Sequence, residues 1–322
     1  MIESLGDLMD NLSLVVDYTL IRSTIRSSMP IIYAAMACVI TQQADILNIG
    51  VEGIMLCGAF AAVAVSYFSG SWLLALGASV LVGILLAAFM AVAHIKYKSD
   101  IFVAGMGINM FALAITKLLL NKMLNESGSF MSPDIVPMPR IDVPVLASND
   151  VLNSLFNNYS IMEPLGFVLV LVLQYLLYRT IWGLRLRCVG MNPKAAETAG
   201  IRVDLRKFEV MIYSGIIGGV AGAYLSLGYS RVFAENMTNG RGFMGVAAML
   251  FGGGDPIKSM LGCFIFGLAD SIGARLQTFG FPSQFILMIP YIATASILSL
   301  AMYRKLKRER VAMSAVAEPQ KE

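Results

Sequence analysis

Three polar side chains stand in apolar surroundings where a hydrogen-bonding solute could be handled: Asn48, Glu52 and Asn109. The first two belong to Asn48-Ile49-Gly50-Val51-Glu52-Gly53, a polar string between two nearly all-apolar stretches, residues 29–43 and 54–68. A carboxamide donates and accepts hydrogen bonds, and a carboxylate accepts from hydroxyls. Glu52 has a second reading, a charge or hydrogen bond that pins an interrupted helix against its neighbour. Asn109, followed by Met110 and Phe111 in an apolar span, equally fits a helix–helix hydrogen bond. Gly50 and Gly53 loosen helix beside the carboxylate. Lipid tolerates neither feature unless protein or a water-filled cavity surrounds it.

Other chemistry is poorly supplied. The chain has no G-x-x-x-x-G-K-[ST] string to cradle phosphates and no G-x-S-x-G string. Its one histidine, His94, and four cysteines, Cys38, Cys57, Cys188 and Cys263, show no metal-ligand spacing. No metal or cofactor is expected in the chain, and the cysteines read as small packing residues.

The elements that position these residues follow from composition. Of 322 residues 57% are hydrophobic and 14% charged, against about 25% charged in soluble domains. Mean hydropathy is +0.72. The net charge of +3 is too small to point to nucleic acid. A bilayer takes about 20 mostly apolar residues per helix. Firm spans fall near 29–43, 54–68, 71–93, 101–123, 161–178, 208–228, 259–274 and 284–302, with weaker segments at 8–27 and 243–253. The expected fold is all-α: one polytopic membrane bundle over 1–322, with about 8–10 transmembrane segments and broken helices. Met1–Asp10 carries acids and lacks the basic region of a cleavable signal.

Charge placement gives orientation. The 303–322 tail holds Arg304, Lys305, Lys307, Arg308 and Arg310. The 179–207 loop holds seven basic residues, among them Arg185, Arg187 and Lys194. Both are expected on the cytoplasmic side of the inner membrane, with the turn at Lys96 and Lys98. Residues 125–160, acidic and proline-rich, form the long loop opposite and separate two pseudo-repeated halves. The stretches 29–68 and 243–274 share an apolar–break–apolar arrangement, the second around Gly252 and Gly253. Paired interrupted spans point to a transport pathway. Arg241, at the outer end of 243–253, reads as an interfacial anchor.

Within the basic loop, Asn192 suits an N-cap and Pro193 the first helical position. Ala195, Ala196 and Ala199 give a small, smooth face, and Gly200 suits the C-terminal stop before Ile201. A short helix of this kind can enter a groove on a partner protein.

This loop resembles the coupling loop of membrane subunits of ATP-binding-cassette importers. More closely, the chain is similar to the branched-chain amino acid, ribose and nucleoside permease superfamily. The resemblance rests on Asn192…Ala195-Ala196…Ala199-Gly200-Ile201, then Ser214-Gly215 and Gly218-Gly219-Val220-Ala221-Gly222-Ala223. The strings Asn48–Leu56, Gly240-Arg241-Gly242-Phe243, Phe251-Gly252-Gly253 and Pro256 resemble the subgroup that works with basic-membrane-protein-type lipoproteins and imports nucleosides and related compounds. The likeness covers roughly residues 29–300. Residues 42–47, including Asp45, and Asp255 depart from the subgroup pattern. The resemblance implies a permease for a nucleoside or similar small polar solute, a simple sugar or flavin-type vitamin being the alternative cargo. It further implies partner ATPase subunits that use ATP, a second permease subunit and an extracytoplasmic substrate-binding lipoprotein. The residues implied for coupling to the ATPase are Asn192, Pro193, Ala195, Ala196, Ala199, Gly200 and Ile201. An ion-coupled secondary transporter is the competing class, with Glu52 as its one strong carboxylate.

Overall fold

The computed structural model describes residues 18–141 and 159–278. Among the described residues the helices in chain order are α1 Tyr18–Gln42, α2 Val51–Ser69, α3 Trp72–Ile95, α4 Ile101–Leu124, α5 Met162–Arg179, α6 Ile181–Met191, α7 Pro193–Thr198, α8 Val203–Ala223, α9 Arg241–Phe251 and α10 Pro256–Thr278. A π-helical run, Tyr224–Ser230, extends α8. Among the described residues seven helical segments are long and apolar enough to cross a membrane, and α9 is a shorter apolar helix. The expected span 284–302, residues 8–17 of the weaker segment and the 303–322 tail lie outside the described residues.

Two expected boundaries change. Residues 18–27 are the first part of α1, not a separate segment, and the helix runs through Pro30. Proline has no N–H to give the carbonyl four residues back. The Tyr224 hydroxyl, whose proton goes to Glu163 at 2.8 Å, lies 3.5 Å from that carbonyl, of Arg26. The interruption after α1 covers residues 43–50, so Glu52 and Gly53 already lie in the first turn of α2. Gly50 is the residue that caps it.

Helices α1, α2 and α8 form the buried centre. Their contacts are backbone-close because the facing residues are small. A Cβ on Gly83 of α3 would meet the Gly215 carbonyl of α8, and one on Gly222 would meet the Met55 carbonyl of α2. Ser79 ties α3 to α8 by donating to the Gly219 carbonyl at 2.6 Å. The outer faces of α3, α4 and α5 expose Leu74, Leu81, Phe89, Val103, Met110 and Leu171, which suits contact with lipid tails.

The two ends differ. The basic loop carries α6 and α7 at one end. At the other, β1 Ser129–Phe130 pairs antiparallel with β4 Phe233–Ala234, and β2 Arg140–Ile141 with β3 Tyr159–Ser160.

Candidate functional site

The interrupted segments meet at a buried polar junction. Helix α9 has 11 residues, about 16 Å or half a span. Its N-terminus needs partners for N–H groups that have no carbonyl within the helix. Glu52, only 7% exposed, supplies them from α2: its carboxylate accepts from Gly240 N–H at 2.9 Å and Gly242 N–H at 2.6 Å. A negative charge here also matches the positive end of the helix dipole. Gly242 must be glycine, because a Cβ would come within 2.7 Å of the Glu52 backbone.

Asn109 of α4 closes the other side. Its carboxamide accepts from Gly53 N–H at 2.8 Å and donates to the Ile49 carbonyl at 3.0 Å. Gly53 permits the approach, since a Cβ would meet Asn109 at 2.9 Å. Gly50 likewise admits Met90 and Gly105. Asn48, fully buried, donates to Ser214 Oγ of α8 at 2.7 Å. Its Oδ1 has no hydrogen-bond partner among the described residues. The three residues selected from sequence are therefore brought together. Glu52 and Asn109 use their polar atoms on backbone, while Asn48 retains an acceptor.

A second link joins the breaks. Gln43, just past α1, donates through Nε2 to the Gly254 carbonyl at 2.8 Å. Gly252 and Gly253 lie in the α9–α10 turn as expected, with Gly253 at φ +62° and Gly254 at φ +76°. Asp255 closes the turn by accepting from Lys258 N–H at 3.0 Å. Gln43 and Gly254 escaped the sequence reading because neither residue type signals a long-range partner.

In the basic loop, Asn192 Oδ1 accepts from Ala195 N–H at 3.1 Å, with Pro193 at the first helical position. At the other end Gly200, φ +80°, donates to the Glu197 carbonyl and Ile201 to the Ala196 carbonyl, the paired bonds of a Schellman stop. Ala196 differs from the expected outward face. It is 3% exposed and packs into the protein's own core, leaving Ala195 and Ala199 outward. Next to this helix, Gly190 of α6 packs its Cα on the Gln43 carbonyl.

Arg241 is no interfacial anchor. It reaches Asp270 of α10 at 3.1 Å and lies over the Tyr229 ring, 5.8 Å from its centroid.

Comparisons with known proteins agree with this architecture. Residues 20–302 match the family described as branched-chain amino acid transport system / permease component. The chain is 32% identical to a nucleoside ABC transporter permease of Lactococcus lactis subsp. cremoris, over 91% of this chain and 94% of that one. It is 31% identical to a guanosine ABC transporter permease of Bacillus subtilis, over 89% and 92%. Its fold matches a chain of a metal-chelate type ABC transporter in an inward-facing conformation. The TM-score is 0.51 at 14% identity, over 93% of this chain and 99% of that chain. With seven apolar helices among the described residues and a family match over most of its length, this chain belongs to the permease component family of branched-chain amino acid transport systems.

Proposed function

We propose that the chain is the membrane-spanning subunit of an ATP-binding-cassette importer that moves a nucleoside across the inner membrane. Separate ATPase subunits drive it, and the basic loop and C-terminus face the cytoplasm. The observation that carries this reading is α7: six residues capped at both ends, with Ala195 and Ala199 outward. Such a helix is a rigid knob that can transmit a push. The nucleoside assignment draws on the two relatives that share about a third of their residues with this chain.

A mechanical route follows from the contacts. Movement of α7 shifts α6, whose Gly190 bears on Gln43. Gln43 holds the Gly254 turn, and hence α9. Helix α9 in turn hangs from Glu52 of α2. Each docked state of the ATPase pair would favour one arrangement of this chain of contacts, as any ligand-driven change requires.

The residues proposed for the solute path remain Asn48, Glu52 and Asn109, with Asn48 Oδ1 the atom that keeps acceptor capacity. Partners are an ATPase, a second permease copy or paralogue and a substrate-binding lipoprotein. A simple-sugar cargo has one specific support: 28% identity to a permease assigned to glucose in Haloferax volcanii. The secondary-transporter reading loses its carboxylate, because Glu52 is committed to two backbone N–H groups.

Uptake of labelled nucleoside tests the assignment. It should survive collapse of the proton gradient and stop on ATP depletion, and a Walker-type ATPase should co-purify with the tagged chain. The reverse pattern, with no ATPase retained, would overturn it.

A further inference from the structure

We infer that the groove between α5, α6 and α8 at the basic-loop end holds an anionic phospholipid. Its phosphate lies among Arg185, Arg202 and Arg206, and one acyl chain runs between α5 and α8. This goes beyond the importer reading and is independent of the cargo.

Two cavities of opposite chemistry lie there. The first has a volume of about 340 Å³ and is lined by Arg185, Gly200, Ile201, Arg202, Leu205 and Arg206, among others. Among the described residues its wall holds three arginines and no carboxylate. The second, about 350 Å³, lies between Leu169, Val172 and Leu176 of α5, Trp182 of α6, and Tyr213 and Ile217 of α8. Its described wall is wholly aliphatic and aromatic.

The two share a partition. Trp182 Nε1 donates to Glu209 Oε2 at 3.4 Å, and the same oxygen accepts from Arg206 at 2.7 Å. Tyr213 meets the Trp182 ring edge-on, with 5.8 Å between centroids. On α8, Arg202, Arg206, Tyr213 and Ile217 fall within about 60° of one another around the axis. The basic cavity and the apolar one therefore follow each other along one helix face.

Their spacing matches a lipid. Arg206 and Ile217 lie about 16 Å apart along the axis, about half of a hydrocarbon core 30 Å thick. The apolar cavity thus occupies one leaflet, with the arginines at its water boundary. Trp and Tyr, which stand between the two cavities, are the side chains enriched at that boundary. The groove also opens outward, since Val172 is 45% and Tyr213 44% exposed.

Charge selects the headgroup. Arg206 is balanced by Glu209, but among the described residues Arg185 and Arg202 make no ion pair, and the nearby acids Glu197 and Asp204 pair with none of the three. Arginine forks suit phosphate oxygens, and basic pockets between membrane helices take anionic headgroups. A free phosphate would leave the apolar cavity unfilled, and a zwitterionic lipid would bring a second cation to the arginines. Ala199, Gly200 and Ile201, which follow α7, wall the same basic cavity. A bound headgroup therefore braces the end of that helix.

The test places the intact transporter in phosphatidylcholine vesicles with a trace of photoreactive lipid. The probe carries a diazirine on its acyl chain and a headgroup of either phosphatidylglycerol or phosphatidylcholine. The phosphatidylglycerol probe should label peptides around Val172 and Tyr213 more strongly by about five-fold or more, the factor that one basic residue near an anionic surface supplies. Arg185→Ala/Arg202→Ala, at two exposed positions, should lose that excess while labelling of the outer face of α3 stays as in wild type. Val172→Trp fills the apolar cavity from an exposed position and should lower the labelling several-fold with both arginines intact. Labelling needs neither ATP nor transport, so it stands even if the importer reading fails. Equal labelling by the two probes, or an excess that survives loss of both arginines, would overturn the inference. So would full displacement of the probe by millimolar glycerol phosphate, which would make this a free-phosphate site. An excess seen in the chain alone but not in the transporter with its partners would give the groove to a protein and overturn it too.

Discussion

Glu52 of α2 holds Gly242 of α9 by a 2.6 Å hydrogen bond from a backbone N–H to its carboxylate. The N-terminus of a half-length helix is thus closed by a charge from a different span. The bond also couples the two interrupted segments, 188 to 190 residues apart in sequence.

Removing that charge should loosen the junction without turning the protein into a proton-coupled carrier. Glu52→Gln keeps an acceptor but loses the charge-assisted bonds. Hydrogen bonds to charged groups contribute about 1.5–3 kcal/mol, so a loss of about 2 kcal/mol is expected. Glu52→Ala leaves two N–H groups orphaned and should cost more. Thermal unfolding in detergent gives the ranking. Uptake in Glu52→Gln should be lower than wild type and equally insensitive to proton-gradient collapse.

Asn109 is tested by a near-isosteric change. Asp at this position still accepts from Gly53 N–H but cannot donate to the Ile49 carbonyl, and it buries a charge. Asn109→Asp should therefore destabilise by about 3 kcal/mol or more. Asn109→Gln, too long for the 2.8 and 3.0 Å bonds, should also lose stability. Wild-type melting of either variant would refute the structural role.

The basic-loop helix separates docking from folding. Ala199 is exposed, so Ala199→Glu should leave membrane insertion and melting unchanged while abolishing ATP-driven uptake and ATPase co-purification. Ala196 is buried, so Ala196→Glu should fail through stability instead. Gly200→Ala forces a Cβ into φ +80° and should cost about 1–2 kcal/mol. Identical behaviour of Ala199→Glu and Ala196→Glu would contradict the exposure difference.

Transmission should depend on Gly190 and Gln43. A side chain on Gly190 would collide with the Gln43 carbonyl, and Gln43→Ala removes the bond to Gly254. Both variants should retain the ATPase partner. Each should lower nucleoside moved per ATP hydrolysed, several-fold for Gly190→Val. Tight coupling in both would break the proposed route.

Glu235 gives a pH signature at the far end. The Gly128 N–H, at 3.1 Å, and the Lys117 ammonium, at 3.2 Å, hold its carboxyl below the usual range. A lowered native pKa means stabilisation at neutral pH, lost as pH falls through that value. Glu235→Gln should be less stable than wild type at pH 7. The gap should narrow as pH drops below about 4, where free carboxyls protonate, and then vanish. A gap independent of pH would rule out the charge as its cause.

Much was legible from sequence because its signals are local. Long apolar runs predict spans, since a bilayer demands them. Asn192-Pro193 and Gly200 predict a capped short helix, because caps are formed by residues within one turn of the ends. The glycines at 252 and 253 predict a turn for the same reason. The continuation of α1 from residue 18 through Pro30 was not legible locally, because the helix is held from both sides by packing against distant spans. Ala196 also defies local reading, because periodicity on a six-residue helix cannot say which side meets the core. Thus sequence by itself determined the class, the spans from residue 54 to residue 274 and the ends of the basic-loop helix. Tertiary structure alone decided that Glu52 caps α9, that Asn109 braces the residue 49–53 turn, and that Trp182 meets Glu209 and Tyr213 of α8. Those relations join residues far apart in the chain, and only packing of the spans brings their polar atoms within hydrogen-bonding or ring-contact reach.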